Sequence, residues 1–234
     1  MVLINSVSIT KLFGLYDYQL NFQDGIQFIC GSNVIGKSIL FKTLVAVLNN
    51  DHSFIETIPF ENFKIETTNN VAFEFNKRIG LLNHPFLIST AYIHPKKLID
   101  LDEEYLFNNY PDKGPNLELF INIINHFFER SNKFIGFDYH KQQVVVFYKE
   151  KFFPYSLLSD GEKQLINIFY WLLLRLRSEA FVVIDCPETF FYVSWLIELA
   201  QLFEKVIELK KHRLILITNS PDLIGDRWDL TTTL

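Results

Sequence analysis

The chain has 234 residues, 49% of them hydrophobic, and a formal net charge of −5 at neutral pH. This charge argues against a general polyanion-binding surface, although it is compatible with a local basic patch. No apolar run approaches the roughly 20 residues that a membrane-spanning helix needs. The two cysteines, Cys30 and Cys186, form neither a disulfide framework nor a paired metal-binding motif. We therefore expect a soluble, cytoplasmic α/β protein without membrane association.

The first thirty residues predict three strands. Residues 2–10 and 15–22 are expected to pair through a turn at Gly14, and Asp24-Gly25 forms a turn into an apolar strand at 26–30. This order predicts an N-terminal antiparallel β-meander.

A glycine-rich loop follows the third strand. Residues 31–38 have the form G-x-x-x-x-G-K-S, and a predicted helix at 39–48 follows them. In such a P-loop the backbone N–H groups and the helix N-terminus bind phosphate. Lys37 would reach the β- and γ-phosphates of a nucleotide, and Ser38 would coordinate Mg²⁺. A glycine turn with an unrelated lysine is the alternative. The predicted nucleotide-binding residues are Gly31, Ser32, Asn33, Gly36, Lys37, Ser38 and Ile39.

The middle of the chain has a weaker pattern. We predict strands at 71–75 and 86–93, a helix at 117–128, and a hairpin from 134–139 and 144–148. We therefore expect a single domain over residues 1–234, with an inserted, partly helical lobe at about 95–158.

The last third predicts an alternation of helices and buried strands. Helices are expected at 161–175 and 192–209, and strands at 181–185 and 213–218. Two strands joined by a helix of this length imply a right-handed parallel crossover. The strand at 181–185 has four apolar residues followed by Asp185, which is the form of a Walker B strand whose acid holds Mg²⁺. A core strand that happens to end in an acid is the alternative.

Residues 158–164, L-S-D-G-E-K-Q, open the predicted helix at 161–175. A simple helix N-cap explains Ser159 and Glu162 locally, and the helix N-terminus also offers a second anion site. With this motif the chain resembles ABC-type ATPases over roughly residues 1–50 and 150–225. The resemblance implies a P-loop NTPase fold of the ABC-head type. It also implies ATP and Mg²⁺ as cofactors and a head-to-tail homodimer or heterodimer in which each signature contacts the partner's nucleotide. The implied signature residues are Ser159, Asp160, Gly161 and Glu162.

Several details resemble the SMC, RecF and OLD-type group more than transporter subunits. They are the Glu-Lys pair after the signature glycine, the Asp-Cys-Pro-Glu sequence at 185–188, and the Thr-Asn-Ser-Pro sequence at 218–221. The start at residues 11–15 is also similar to that group.

Two residues depart from that resemblance. Cys186 stands where the family has its catalytic glutamate, and Asn219 stands where it has the switch histidine. A thiol with an ordinary pKa of about 8.5 is a poor general base at neutral pH. An effective general base typically raises the rate by about 10²–10⁴. Glu188 is either a replacement base or a structural residue, and Cys186 is either a reactive thiol or an ordinary cysteine. The family's loop glutamine has no counterpart at 92–95.

The leading hypothesis is an ATP-dependent dimerising switch or scaffold that hydrolyses ATP slowly or not at all. Its effector would be a separate protein, and its setting would be DNA-linked or anti-phage defence, with nucleic acid as a further partner. The alternatives are an active DNA-repair ATPase of the RecF or SMC type and a transporter nucleotide-binding subunit. The residues implied in catalysis are Asp185, Glu188, Cys186 and Asn219, with Ser38 and Asp185 as metal ligands.

Overall fold

The computed structural model describes residues 4–32, 36–49, 51–68, 72–77, 80–81, 90–93, 114–138, 140 and 143–234. Its strands in chain order are β1 (Ile4–Leu12), β2 (Tyr16–Asn21), β3 (Ile26–Cys30), β4 (Asn62–Thr67), β5 (Ala72–Asn76), β6 (Gly80–Leu81), β7 (Thr90–Ile93), β8 (Lys133–Asp138), β9 (Gln143–Tyr148), β10 (Lys151–Phe153), β11 (Phe181–Asp185), β12 (Arg213–Ile217) and β13 (Thr231–Thr233). Its α-helices are α1 (Lys37–Leu48), α2 (His52–Thr57), α3 (Pro115–Phe128), α4 (Asp160–Phe169), α5 (Val193–Lys210) and α6 (Pro221–Ile224).

A five-stranded parallel sheet forms the centre of the fold, with the strand order β13-β3-β12-β11-β7. The predicted crossover is confirmed, because β11 and β12 are parallel neighbours joined through α5. The carboxyl ends of β3, β11 and β12 lie at one edge of the sheet. Gly31 follows β3, Asp185 is the last residue of β11, and Asn219 comes shortly after β12. The topology therefore brings the separate motifs to one place.

A second sheet is antiparallel and has the order β2-β1-β4-β5-β6. It contains the predicted N-terminal antiparallel strands, whereas β3 leaves them and enters the parallel sheet. The sequence reasoning missed β4, although Phe63 and Ile65 alternate with polar residues there.

Helix α1 lies between the two sheets. Its buried face packs with Ile9 of the antiparallel sheet and with Val183 and Ile215 of the parallel sheet. The intervening residues, Val182 and Leu214, join a second core cluster with the helices on the other face. Both faces of β11 and β12 are therefore covered, which explains their continuous apolar sequences.

The middle of the chain adds a helix and a small sheet. Helix α3 packs on the same core cluster as α4 and α5, and β8, β9 and β10 form a three-stranded antiparallel sheet beside it. The predicted hairpin is β8 and β9. Residues 86–89 of the predicted strand and residues 95–113 of the predicted lobe lie outside the described part of the chain.

The predicted helix at 161–175 is α-helical only as far as Phe169, where α4 ends. Tyr170–Arg175 then forms a π-helical segment. The last carbonyl groups of a helix have no partner within the helix. Buried side chains bond to two of them. The Nε2 of His212 lies 2.9 Å from the carbonyl oxygen of Leu172, and Lys210 Nζ donates to Leu173 O at 3.3 Å. Within the described ranges, no helix is long and apolar enough to cross a membrane.

Candidate functional site

A cavity of about 400 Å³ lies at the carboxyl edge of the parallel sheet. It collects residues from three separate stretches, which are the start of α1, the segment after β11 and the segment after β12. Its lining includes Gly36, Lys37, Ser38, Ile39, Asp185, Cys186, Glu188, Thr189 and Asn219.

The P-loop lysine lies at the base of this cavity. Lys37 is buried, and its Nζ donates to the carbonyl oxygens of Gly31 at 2.5 Å and Ser32 at 2.9 Å. Gly36 has a left-handed backbone with φ of 75° as the helix begins, a conformation that glycine adopts without a Cβ penalty. The predicted nucleotide-binding residue Asn33 lies outside the described residues.

Asn219 connects the P-loop to the segment after β11. Its Oδ1 accepts the backbone N–H of Gly31 at 3.1 Å, and its own N–H donates to Glu188 Oε1 at 3.4 Å. The amide at the predicted switch position therefore contacts the phosphate-binding loop directly.

The two predicted metal ligands share a third partner, Tyr92 at the end of β7. Its hydroxyl donates to Asp185 Oδ2 at 2.5 Å and is also hydrogen-bonded to the Ser38 side chain. Burial, together with the negative Asp185 carboxylate, raises the pKa of the Tyr92 phenol well above its ordinary value. Tyr92 was missing from the predicted site, because nothing in the local sequence indicates that β7 pairs with β11.

Cys186 follows Asp185 with a left-handed backbone, at φ of 49°. The residue is exposed, but its Sγ lies 3.5 Å from Asp185 Oδ1. Partial burial of the thiol, followed by the negative charges of Asp185 and Glu188, raises the pKa of Cys186 to about 12. The thiol is therefore neutral at physiological pH, which disfavours both a general base and a reactive thiolate.

Glu188 points one carboxylate oxygen at the backbone and the other into the protein. While Oε1 accepts from Asn219, Oε2 is buried without a hydrogen-bond partner among the described residues. An unsatisfied buried oxygen beside the cavity indicates a group whose natural partner is a ligand, an ion or water.

The signature residues lie at the N-terminus of α4 and do not line this cavity. Ser159 caps the helix by accepting from Glu162 N–H at 3.3 Å, and Glu162 Oε2 accepts from Ser159 N–H at 2.9 Å. Lys133 Nζ bonds both oxygens of Glu162 at 2.9 Å. Although burial opposes ionisation, Lys133 and the Ser159 hydrogen bonds hold the pKa of Glu162 below its ordinary value. Glu162 is thus engaged within its own chain, whereas Ser159 and Asp160 are exposed.

Gly161 joins the signature helix to the segment after β11. A Cβ at this position would lie 2.6 Å from the carbonyl oxygen of Phe190. Only glycine allows the two backbones to approach this closely. Phe191, in the same segment, is buried, and its ring is tilted against that of Trp195 with a centroid distance of 6.1 Å.

The residues present fit a magnesium–nucleotide complex. The lysine Nζ lies among loop carbonyls, and Ser38 and Asp185 offer a hydroxyl and a carboxylate that a single hydroxyl group already bridges. Mg²⁺ in such sites takes one or two protein oxygens and completes its shell with phosphate and water. The described residues include no cluster of three or more His, Cys, Asp or Glu side chains that can hold a metal. A nucleotide site of this kind needs none.

A family model described as "AAA domain, putative AbiEii toxin, Type IV TA system" matches residues 128–225. This stretch includes the signature helix, the Walker B strand and the strand before Asn219. A comparison with curated proteins found no match.

Solved structures of SMC head domains are similar along almost the whole chain. The SMC head domain from Thermotoga maritima is 16% identical with a TM-score of 0.60, over 94% of this chain and 90% of that one. An SmcHead bound to the C-winged helix domain of ScpA is 10% identical with a TM-score of 0.61, over 95% and 91% of the two chains. A Smc head domain with an extended coiled coil, bound to the C-terminal domain of ScpA derived from Pyrococcus furiosus, is 11% identical with a TM-score of 0.63, over 96% and 92%. At these identities the likeness shows the fold. The chain therefore has the P-loop NTPase fold of an SMC head domain.

Proposed function

We propose that this chain is a nucleotide-dependent dimerising switch that binds Mg-ATP tightly and hydrolyses it slowly. The observation that carries the proposal is that a thiol, and not a carboxylate, follows Asp185, with Cys186 Sγ 3.5 Å from Asp185 Oδ1. The site would then bind a nucleotide but lack a general base at the position of Cys186.

Nucleotide binding is supported by Lys37 and the start of α1. The Nζ of Lys37 is held at the loop carbonyls where phosphate oxygens would supply stronger partners. The first N–H groups of α1 point out of the helix and add a partial positive charge. Ser38 and Asp185 would hold Mg²⁺, which neutralises charge on the β- and γ-phosphates when it is bound.

Slow hydrolysis follows from the residues near the position of the attacking water. A protonated thiol with a pKa of about 12 does not accept a proton from water at pH 7. The amide of Asn219 is uncharged and already bonds Gly31, so it adds no cationic stabilisation. Loss of a general base alone removes about 10²–10⁴ in rate.

Dimerisation is supported by the exposed signature. Ser159 and Asp160 begin α4 at the surface and lie away from the chain's own nucleotide cavity. In a head-to-tail pair they would face the partner's γ-phosphate with the partial positive charge of the helix N-terminus. The partner would be a second copy or another head of the same type. A separate effector protein in a cytoplasmic defence or DNA-maintenance assembly would respond to the closed pair.

A second candidate is an active ATPase in which Glu188 serves as the base. It is supported by the buried, unsatisfied Oε2 of Glu188 beside the cavity. A carboxylate there is available to a water molecule, whereas its Oε1 is fixed by Asn219. The two candidates differ in turnover and in the effect of removing this carboxylate.

Steady-state ATP hydrolysis by three variants separates the candidates. We expect the unmodified protein to turn over far below about 1 s⁻¹, the low end of ordinary enzyme rates. Cys186→Glu should then raise turnover at least about tenfold. Cys186→Gln introduces a side chain of the size of glutamate that cannot act as a base, and it should not raise turnover. Turnover near 1 s⁻¹ that Glu188→Gln abolishes would refute the switch and establish the second candidate.

Light scattering of the unmodified protein tests dimerisation. ATP should double the apparent mass, and Ser159→Arg should prevent this while nucleotide binding persists. A mass that ATP leaves unchanged would contradict the dimerising switch.

A further inference from the structure

Tyr92 lies between the two predicted metal ligands, although it belongs to neither motif. Strand β7 pairs in parallel with β11, and Tyr92 is the register partner of Val183. Its side chain therefore reaches the end of β11, where its hydroxyl bonds Asp185 Oδ2 and the Ser38 side chain. One hydroxyl joins the P-loop helix to the Walker B strand.

The ring of Tyr92 is held in place on its other sides. It packs against the core cluster between α1 and the parallel sheet, and Lys42 Nζ lies 5.4 Å from its centroid. A phenol carries its proton at neutral pH, and this O–H donates to the Asp185 carboxylate. The packing of the ring thus holds the hydroxyl beside Asp185.

The phenol and a divalent cation both use an oxygen of the Asp185 carboxylate. The phenol has one proton, which it donates to Asp185, so the Ser38 hydroxyl donates to the phenol oxygen. A carboxylate oxygen that accepts a short hydrogen bond uses a lone pair that it would otherwise offer to a metal ion. Mg²⁺ requires near-octahedral ligands at about 2.0–2.1 Å. We propose that the Tyr92 hydroxyl competes with the divalent cation for the Asp185 carboxylate. Tyr92 thereby sets the metal concentration at which the nucleotide complex forms. This inference rests on the proposed binding of Mg-ATP and adds the residue that controls how tightly the metal ion binds.

Metal binding, measured apart from hydrolysis, tests the inference. A fluorescent ATP analogue is first bound to the protein in chelator-free buffer from which divalent metals have been removed. Mn²⁺ is then titrated, and its bound fraction is followed by electron paramagnetic resonance. We expect Tyr92→Phe to bind Mn²⁺ about tenfold more tightly, because its ring keeps the packing but no longer competes for the carboxylate. Analogue binding in the metal-free buffer should be the same in both proteins. Tyr148→Phe, an exposed tyrosine on β9, is the matched control and should bind Mn²⁺ as the unmodified protein does.

Equal or weaker Mn²⁺ binding by Tyr92→Phe would overturn the inference, since Tyr92 would then be neutral or would position the ligands. If the unmodified protein binds no analogue with or without metal, the proposed function itself fails. A second readout needs no variant to fold. Tyrosine difference absorption of the unmodified protein should change when Mn²⁺ is added to the analogue complex, as the phenol loses its carboxylate partner, and an unchanged spectrum would contradict displacement.

Discussion

The closest backbone contact near the site predicts that Gly161 does not tolerate a side chain. In Gly161→Ala the new Cβ would lie 2.6 Å from the carbonyl oxygen of Phe190. Carbon–oxygen contacts in proteins are about 3.3–3.6 Å, so one backbone must move by about 0.7 Å or more. The obstacle belongs to the short helix Pro187–Phe190, whose last residues are followed by the buried Phe191.

Two effects of opposite sign determine how much Gly161→Ala changes the free energy of unfolding. Forcing extra volume into packed structure costs about 1–3 kcal/mol. Alanine in place of glycine in a helix gains at most about 1 kcal/mol, and Gly161 lies in the first turn, where the gain is smaller. We therefore expect the free energy of unfolding to fall by about 1–2 kcal/mol, with a decrease in Tm of about 2–4 °C for each kcal/mol.

Urea denaturation of Gly161→Ala and Gly136→Ala provides the assay. Gly136 on β8 is the matched control, because its added Cβ would meet Phe147 at an ordinary 3.6 Å. We expect Gly136→Ala to be neutral or to stabilise by up to about 1 kcal/mol. If Gly161→Ala is as stable as Gly136→Ala, the contact with Phe190 is not rigid and the reasoning is wrong.

Two further predictions concern buried ionisable groups. Lys133→Ala should lower the free energy of unfolding by about 2–4 kcal/mol, because the side chains of Lys133 and Glu162 are only 16% and 7% exposed and the carboxylate loses its charged partner. Lys64→Ala, which breaks an exposed ion pair, should cost less than about 1 kcal/mol, and equal losses in urea denaturation would refute the distinction. Burial lowers the pKa of His212 in the folded state, so the unfolded chain takes up the proton first and stability should be complete above about pH 6.5 and fall below it. The fall between pH 7 and 5.5 should shrink in His212→Gln but not in His140→Gln, and identical pH profiles would contradict this assignment.

The central sheet could be predicted from sequence because its strands are buried on both faces. β3 and β11 have the predicted bounds, and β12 differs by one residue. By contrast, β13 consists of Thr231, Thr232 and Thr233, and only its pairing with β3 makes it a strand. No local pattern specifies such long-range pairing.

The candidate site divides in the same way. Lys37, Ser38 and Asp185 could be identified because their motifs fix residue types within a short stretch. Tyr92 could not, since its role depends on the neighbour that β7 acquires in the sheet. The contacts of the Glu188 carboxylate could not be predicted either, because its Oε1 accepts from a backbone group that is 31 residues away.

The site contacts also bear on the switch. Lys37 bonds loop carbonyls, the Asn219 side chain bonds the Gly31 N–H, and Tyr92 bonds Asp185, so these three groups, which a nucleotide or metal would use, already have partners in the fold. Binding must exchange these hydrogen bonds for new ones, and the net gain per exchange is small unless the new partner is charged. Phosphate oxygens and Mg²⁺ are charged, whereas a nucleoside is not.

We therefore expect affinity to rise steeply with the number of phosphates and to depend on the divalent cation. Each exchange would involve a residue at or near the end of a different strand, namely β3, β11, β12 or β7. Ligand binding would thus be reported at the edge of the sheet where the segment after β11 meets Gly161 and the signature helix. A chain that converts nucleotide binding into a change at its signature surface needs little hydrolysis to act as a switch.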